Sequence, residues 1–226
     1  MIHILYRHTS NASGLGKNRP HWFSYGKSLN NILYTIADLD FVKFHLLYDG
    51  EYAPVEYGID HVVPFKAGSD CNSYFYAWNY AKNLNIGDKD LIYIAENDYI
   101  HVPGWAHKVV ELFEAYNGLD YISLYDHNDK YNQVMYPDLS TYLFITPTHH
   151  WRWVPNTTGS VIFGKRILDE DFDVHSKNCS DFNRYEVLRN TKNRTILSPI
   201  PSLATHCEVE WLAPVINWEQ TLNYFS

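Results

Sequence analysis

The chain has 226 residues, 46% hydrophobic and 19% charged, which excludes a disordered, collagenous or low-complexity protein and allows one sizeable core. A net charge of −8 withholds the basic surface that nonspecific binding to a nucleic-acid polymer needs, while single nucleotides stay open as ligands. Aromatic residues reach 16%, which suits stacking on sugars or bases as well as core packing.

Residues 2–6 read as a short buried strand, followed by loop chemistry from Thr9 to Pro20. Leu29, Ile32, Leu33, Ile36 and Leu39 recur at helical spacing on an otherwise polar segment. Residues 44–48 form a second strand stopped by Asp49-Gly50. Phe75, Trp78, Tyr80 and Leu84 mark a second helix, with Gly87 at its expected stop. Residues 91–95 make the clearest strand, Trp105, Val109, Leu112, Phe113 and Tyr116 a third helix, and residues 121–125 another strand. Beyond residue 130 the pattern changes to strands around 142–146 and 160–164, separated by loops rich in His, Trp, Pro and Thr, with one more helix over 181–188. The alternation predicts an α/β fold: one domain over residues 1–226, Rossmann-like, with an open, mostly parallel central sheet flanked by helices. Trp22, Trp78, Trp105, Trp211 and Trp218 are read as core residues rather than ligand platforms.

In open α/β sheets ligands collect beyond the carboxyl ends of the strands, so the residues directly after each strand carry the functional argument. The first strand delivers Arg7 and His8, the second Asp49, the central one Glu96-Asn97-Asp98, and the next Asp126-His127. Glu96 and Asp98 lie two apart, which on an extended segment turns both to one side. Paired acids there suit Mg²⁺ or Mn²⁺ on a diphosphate; the bland reading is a pair of solvated strand-end acids.

Residues 92–99 followed by Pro103-Gly104-Trp105 resemble the Asp-x-Asp region of GT-A glycosyltransferases, particularly the family 2 type. That resemblance implies a GT-A fold and a divalent metal on the diphosphate of a nucleotide-sugar donor. Glu96 stands where the strict motif has Asp, so the resemblance implies Asp98 as metal ligand and Glu96 on ribose or sugar. Leu47-Tyr48-Asp49-Gly50 resembles the family's base-contacting Asp-Gly, and residues 68–73, which include Asn72, its nucleotide-side loop. Arg7, His8, Asn72 and Asn97 complete the expected nucleotide contacts. Residues 156–160, with Thr158, resemble the segment lining the sugar side, and Ser180-Asp181 the acceptor motif whose Asp acts as base. His206, late in the chain, takes the place of a further metal ligand, with a chance histidine as the alternative. Asp126, His127 and Arg152 are expected to hydrogen-bond sugar and acceptor, while His149 and His150 either shape an acceptor pocket or belong to an ordinary loop. Residues 1–130 would form the nucleotide-binding half and 131–226 the acceptor-binding half.

The implied reaction moves a hexosyl or deoxyhexosyl unit from nucleotide sugar to a carbohydrate hydroxyl. The metal neutralises the leaving diphosphate, Asp181 takes the acceptor proton, and Arg7 or Arg19 adds positive charge. Two other readings stay open. Gly14-Leu15-Gly16-Lys17-Asn18-Arg19-Pro20 has some likeness to the glycine-rich loop of sugar nucleotidyltransferases, although about seven residues separate it from the strand. The aromatic content also fits a non-catalytic carbohydrate-binding module.

Cys71, Cys179 and Cys207 are scattered and form no Cys-x-x-Cys pair, so reduced thiols are expected. No run of about 18 apolar residues can span a bilayer. Residues 2–6 are too short for a signal peptide, which with the thiols leads to a cytoplasmic expectation, and makes the Asn-x-Ser/Thr triplets at Asn11, Asn156, Asn178 and Asn193 chance occurrences.

Overall fold

The structure, a computed structural model, describes residues 1–9, 16–50, 59, 61–132 and 134–224. In chain order it contains β1 (Ile2–Thr9), α1 (Tyr25–Ile36), β2 (Val42–Asp49), β3 (Val62–Phe65), α2 (Asp70–Asn83), β4 (Leu91–Glu96), β5 (Tyr99–His101) and α3 (Trp105–Ala115). There follow β6 (Tyr121–Ile122), β7 (Leu143–Ile145), β8 (His150–Trp153), β9 (Val161–Gly164), α4 (Lys165–His175), α5 (Asp181–Lys192), β10 (Ile196–Ile200), β11 (Ala204–His206) and α6 (Trp218–Asn223).

Among the described residues, nine strands form one sheet in the order β3-β2-β1-β4-β9-β6-β10-β8-β7. Strands β3, β2, β1 and β4 run parallel, as the alternation of strands and helices requires. The chain then adds an antiparallel element, β9, between β4 and β6, and β10 pairs parallel with β6 but antiparallel with β8. A separate two-stranded ribbon joins β5 to β11.

The near-continuous apolar runs in β1 and β4 follow from burial on both faces. On one face Ile4, Tyr6, Tyr93 and Ala95 pack with Leu29 and Ile32 of α1 and Trp105, Val109 and Leu112 of α3. On the other, Leu5, Ile92 and Ile94 meet Trp78 and Ala81 of α2, Ile167 of α4, and Tyr185 and Leu188 of α5. Trp78 lies flat on Phe163 at a centroid distance of 4.4 Å. Trp105 and Trp218 are likewise buried, in line with their reading as core.

Two sequence expectations need correction. The thiols are not all reduced: Cys71 at the start of α2 is bonded to Cys179 just before α5, and Cys207 alone is free and buried. Their 108-residue separation hid the pairing, because the fold brings the amino ends of the two helices together only in space. Nor do Glu96 and Asp98 share one side of an extended segment. Strand β4 ends at Glu96, and Asn97-Asp98 turn the chain into β5, so the two carboxyl groups part.

Candidate active site

The carboxyl ends of β1 and β4 lie side by side, with Arg7 opposite Glu96 in register. Arg7 is buried, and its guanidinium reaches Asp70 Oδ1 at 2.5 Å, the Asp70 carbonyl at 3.0 Å, Ser73 Oγ at 3.2 Å and Glu96 Oε1 at 3.4 Å. Ser160 donates to Glu96 Oε2 at 3.0 Å and accepts from the Glu96 backbone N–H at 3.1 Å. A Cβ on Gly159 would lie 3.2 Å from Glu96 Oε1, so any larger residue there would require the carboxyl to shift by a few tenths of an ångström. Burial, opposed by Arg7 but reinforced by the Asp98, Asp181 and Asp70 carboxylates, pushes the Glu96 carboxyl up to about 7. Glu96 can therefore exchange a proton near neutral pH.

Asp98 faces a different group. Its Oδ2 accepts from Arg19 Nη2 at 2.7 Å and Lys17 Nζ at 3.2 Å, and lies 3.0 Å from His206 Nε2. His206 is brought there by the β5–β11 ribbon, in which it stands opposite Tyr99, one residue after Asp98. His206 therefore ends a strand rather than sitting in a loop. Although burial alone would raise it, the Asp98 carboxyl is held well below the usual carboxylate range by the His206, Lys17 and Arg19 contacts. Arg19 is anchored from the other side by the Cys207 carbonyl at 2.7 Å, and its guanidinium lies 5.2 Å from the Phe23 ring centre.

Asp181 opens α5 as its first helical residue, with Ser180 as cap. It is held by Arg184, a fully buried guanidinium stacked 4.2 Å over the Tyr74 ring. Burial raises the Asp181 carboxyl, with Arg184 pulling the other way, and its charge is felt by Glu96. Arg7, Asp70, Glu96 and Asp181 thus form one electrostatic group, with Asp98, His206, Lys17 and Arg19 beside it.

The other predicted residues divide in two. Beyond the end of β2, Asp49 Oδ1 accepts from the Ala67 N–H at 3.0 Å, and Asn72 Nδ2 donates to the Ala67 carbonyl at 2.9 Å, so both brace the loop ahead of α2. His8 stacks on Tyr48 with ring centres 5.9 Å apart, and burial takes its imidazole down to about 4. His8 Nδ1 and Asn97 Nδ2 are buried with no hydrogen-bond partner among the described residues. Farther along, Asp126 is buried, pairs with Arg152 Nη2 at 2.5 Å, and accepts from Tyr131 OH at 2.5 Å. His127 contacts Asp129, and Thr158 Oγ1 accepts from Tyr99 OH at 2.8 Å. His149 is tied to the Pro201 carbonyl at 2.8 Å, while His150 is exposed on β8. Sequence reasoning did not single out Lys17 as a residue of the Asp98 group, nor Asp70 as the partner of Arg7. Gly14 and Leu15 of the glycine-containing stretch, and the triplet at Asn11, lie outside the described residues.

Among the described residues no three His, Cys, Asp or Glu side chains cluster closely enough to hold a metal by themselves. Asp98 and His206 form a two-ligand pair, which suits a cation whose remaining positions are taken by phosphate oxygens and water. The donor set therefore fits Mg²⁺ or Mn²⁺ only as a site completed by substrate.

No protein-family model matches the chain, and no curated protein matches it closely. Among solved structures, 4-diphosphocytidyl-2C-methyl-D-erythritol synthase from Anaerococcus prevotii superposes with a TM-score of 0.50 at 11% identity, covering 99% of this chain and 95% of that one. The 2-C-methyl-D-erythritol 4-phosphate cytidylyltransferase of Francisella tularensis gives 0.48 at 11% identity, over 99% and 97%. The first likeness extends over the whole chain and bears on the fold. It matches the expected α/β architecture of Rossmann-like, GT-A-like character and leaves the chemistry to the residues themselves.

Proposed function

We propose that the protein is a transferase working at the diphosphate of a sugar nucleotide, and that it builds this linkage by nucleotidyl transfer onto a sugar- or polyol-phosphate. The observation that carries the reading is the convergence of Arg7, Lys17 and Arg19 on Asp70 at the start of α2, Glu96 at the end of β4 and Asp98 in the turn that follows it. Three permanent cations at a parallel strand end suit a polyphosphate. Lys17 and Arg19 follow β1 within the stretch that has some likeness to the glycine-rich loop of sugar nucleotidyltransferases, and the synthase superposed above is named for a diphosphocytidyl product. In such a reaction a phosphate oxygen of the acceptor attacks the α-phosphorus, and the bond to the β-phosphate breaks as pyrophosphate leaves. The attacking phosphate is already anionic, so no general base is required. Arg7, Lys17 and Arg19 offset the charge gathering on the leaving group. Asp98 and His206 would hold a divalent ion, which supplies further charge neutralisation.

Glycosyl transfer from a nucleotide sugar, the reaction implied by the family 2 resemblance, is the second reading. It is favoured by Asp181, whose raised carboxyl beside Glu96 is suited to taking a proton from a hydroxyl acceptor. The two reactions release different products. Incubation with nucleoside triphosphates and sugar phosphates should yield pyrophosphate; nucleoside diphosphate released from nucleotide sugars, with no pyrophosphate formed in any pairing, would overturn the first reading. Asp181→Asn separates them again, leaving nucleotidyl transfer intact but slowing glycosyl transfer by about 10²–10⁴-fold. Metal-independent nucleotide or sugar binding without turnover would return the non-catalytic module. The cytoplasmic expectation rested in part on reduced thiols, and the Cys71–Cys179 bond withdraws that part of its support. No helix among the described residues is long and apolar enough to cross a membrane.

A further inference from the structure

The crowding of donors on a single carboxylate oxygen carries a consequence for the metal. Arg19 Nη2, Lys17 Nζ and His206 Nε2 all lie within 3.2 Å of Asp98 Oδ2, and Lys17 Nζ is also 3.4 Å from His206 Nε2. The Asp98 side chain is only 8% exposed, so it offers little room for a further partner. A divalent ion bridging Asp98 and His206 through the atoms that face each other would bond the same Oδ2 and the same Nε2, at about 2.0–2.2 Å. That position is the one Lys17 flanks.

We propose that Lys17 and Arg19 are the resident occupants of the Asp98–His206 cation position, so that these side chains and a divalent metal exclude one another until a nucleotide diphosphate draws the two cations away. This rests on the proposed sugar-nucleotide site, whose diphosphate would supply the alternative acceptors. Two mechanisms keep the occupants apart. One is competition for a single oxygen. The other is repulsion between a dication and two monocations gathered within a few ångströms in a poorly hydrated site. Lys17 is the less constrained of the pair: its side chain is 45% exposed and, among the described residues, its Nζ meets Asp98 and His206, whereas Arg19 is also fixed by the Cys207 carbonyl and two aromatic rings. A diphosphate near Asp98 would give both cations new oxygens and complete the shell of the metal. Metal and nucleotide then bind cooperatively, each strengthening the other by the same factor.

Mn²⁺ binding followed by electron paramagnetic resonance tests this without reference to turnover. The folded wild type should bind Mn²⁺ weakly alone and at least about tenfold more tightly with CDP or UDP. Lys17→Met should tighten Mn²⁺ binding to the nucleotide-free protein about tenfold and shrink the nucleotide effect to match. Asp98→Asn should abolish the site in either background, which assigns the signal to this carboxylate. Equal Mn²⁺ affinity in wild type and Lys17→Met, weaker binding in the variant, or no Mn²⁺ binding in any form overturns the competition. Tighter binding in Lys17→Met with no response to any nucleotide upholds the competition and removes the sugar-nucleotide reading instead.

Discussion

At the scale of the residue, the site depends on a guanidinium that is out of water yet paired. Arg7, with 5% of its side chain exposed, faces the largely buried Glu96 and the solvent-exposed Asp70, with Asp181 nearby. Removing the guanidinium costs more than the pair with Glu96 contributes, because that carboxyl stays largely buried without its counter-ion. Arg7→Met should lower unfolding stability by about 3–5 kcal/mol, read from the urea midpoint at pH 7.5. Glu96→Gln in the same chain should restore part of that loss; additive effects of the two changes would refute direct coupling. Gly159→Ala should cost about 1–3 kcal/mol by pressing on the Glu96 carboxyl, and an unchanged midpoint would mean that the carboxyl moves aside freely. Arg7, His8, Glu96 and Asp98 were singled out in the sequence because they stand at or just beyond the carboxyl ends of apolar runs. Lys17 had no such context: it lies in a loop without periodicity, and only the folded chain brings it to Asp98.

At the scale of the element, the apolar spacing of α1, α2 and α3 and the unbroken apolar runs of β1 and β4 were readable because each buries a defined face. Several shorter elements were not. Strand β3 includes Pro64, β8 is built from His150-Trp151-Arg152-Trp153, and β11 has three residues, so neighbouring chain rather than local pattern decides their state. The β4–β5 turn shows the same limit, since two acids at strand spacing were sent to different partners by a turn at Asn97-Asp98. Covalent linkage between elements was equally invisible. Joining α2 to the start of α5 across 108 residues, the Cys71–Cys179 bond restricts the unfolded chain far more than the folded one. Replacing both cysteines with serine should lower stability by about 4–5 kcal/mol on the chain-entropy account, measured by denaturation with and without a thiol reductant. Equal midpoints for the wild type under the two conditions would contradict this.

For the whole molecule, the parallel half of the sheet followed from the order of strands and helices, but the placement of β9 between β4 and β6 did not. Sheet order beyond the parallel units depends on long-range pairing that no local pattern encodes. Buried histidines add a property of the ensemble. His45 and His8 are lowered to about 4 and His101 to about 3, each mainly by burial, and His3 and His175 are lowered for the same reason. His3, His45 and His61 stack in a row across β1, β2 and the start of β3, with Lys43 and the amino terminus adding positive charge and Asp90 negative. An imidazole whose folded value lies below its unfolded one contributes stability that is complete above pH 6.5 and is lost as the pH falls toward the folded value. Thermal unfolding between pH 7.5 and 4.5 should therefore show Tm falling with acidity, each such histidine adding up to about 1.4 kcal/mol per pH unit. His45→Phe should flatten the slope, and a Tm that rises as the pH drops from 6.5 to 4.5 would rule out the histidine account.

The cysteine bond also divides the chain topologically. Residues 71–179 form a closed covalent loop containing β4 and Asp98, whereas Arg7, Lys17, Arg19 and His206 belong to the two open arms outside it. A single proteolytic nick within the loop leaves both fragments attached, so the nicked protein migrates as one band on a denaturing gel until a reductant is added. A nick in either arm separates the fragments at once. The half-site contributed by β4 and the half-site contributed by the arms can thus be distinguished by where a protease cuts and whether the pieces part.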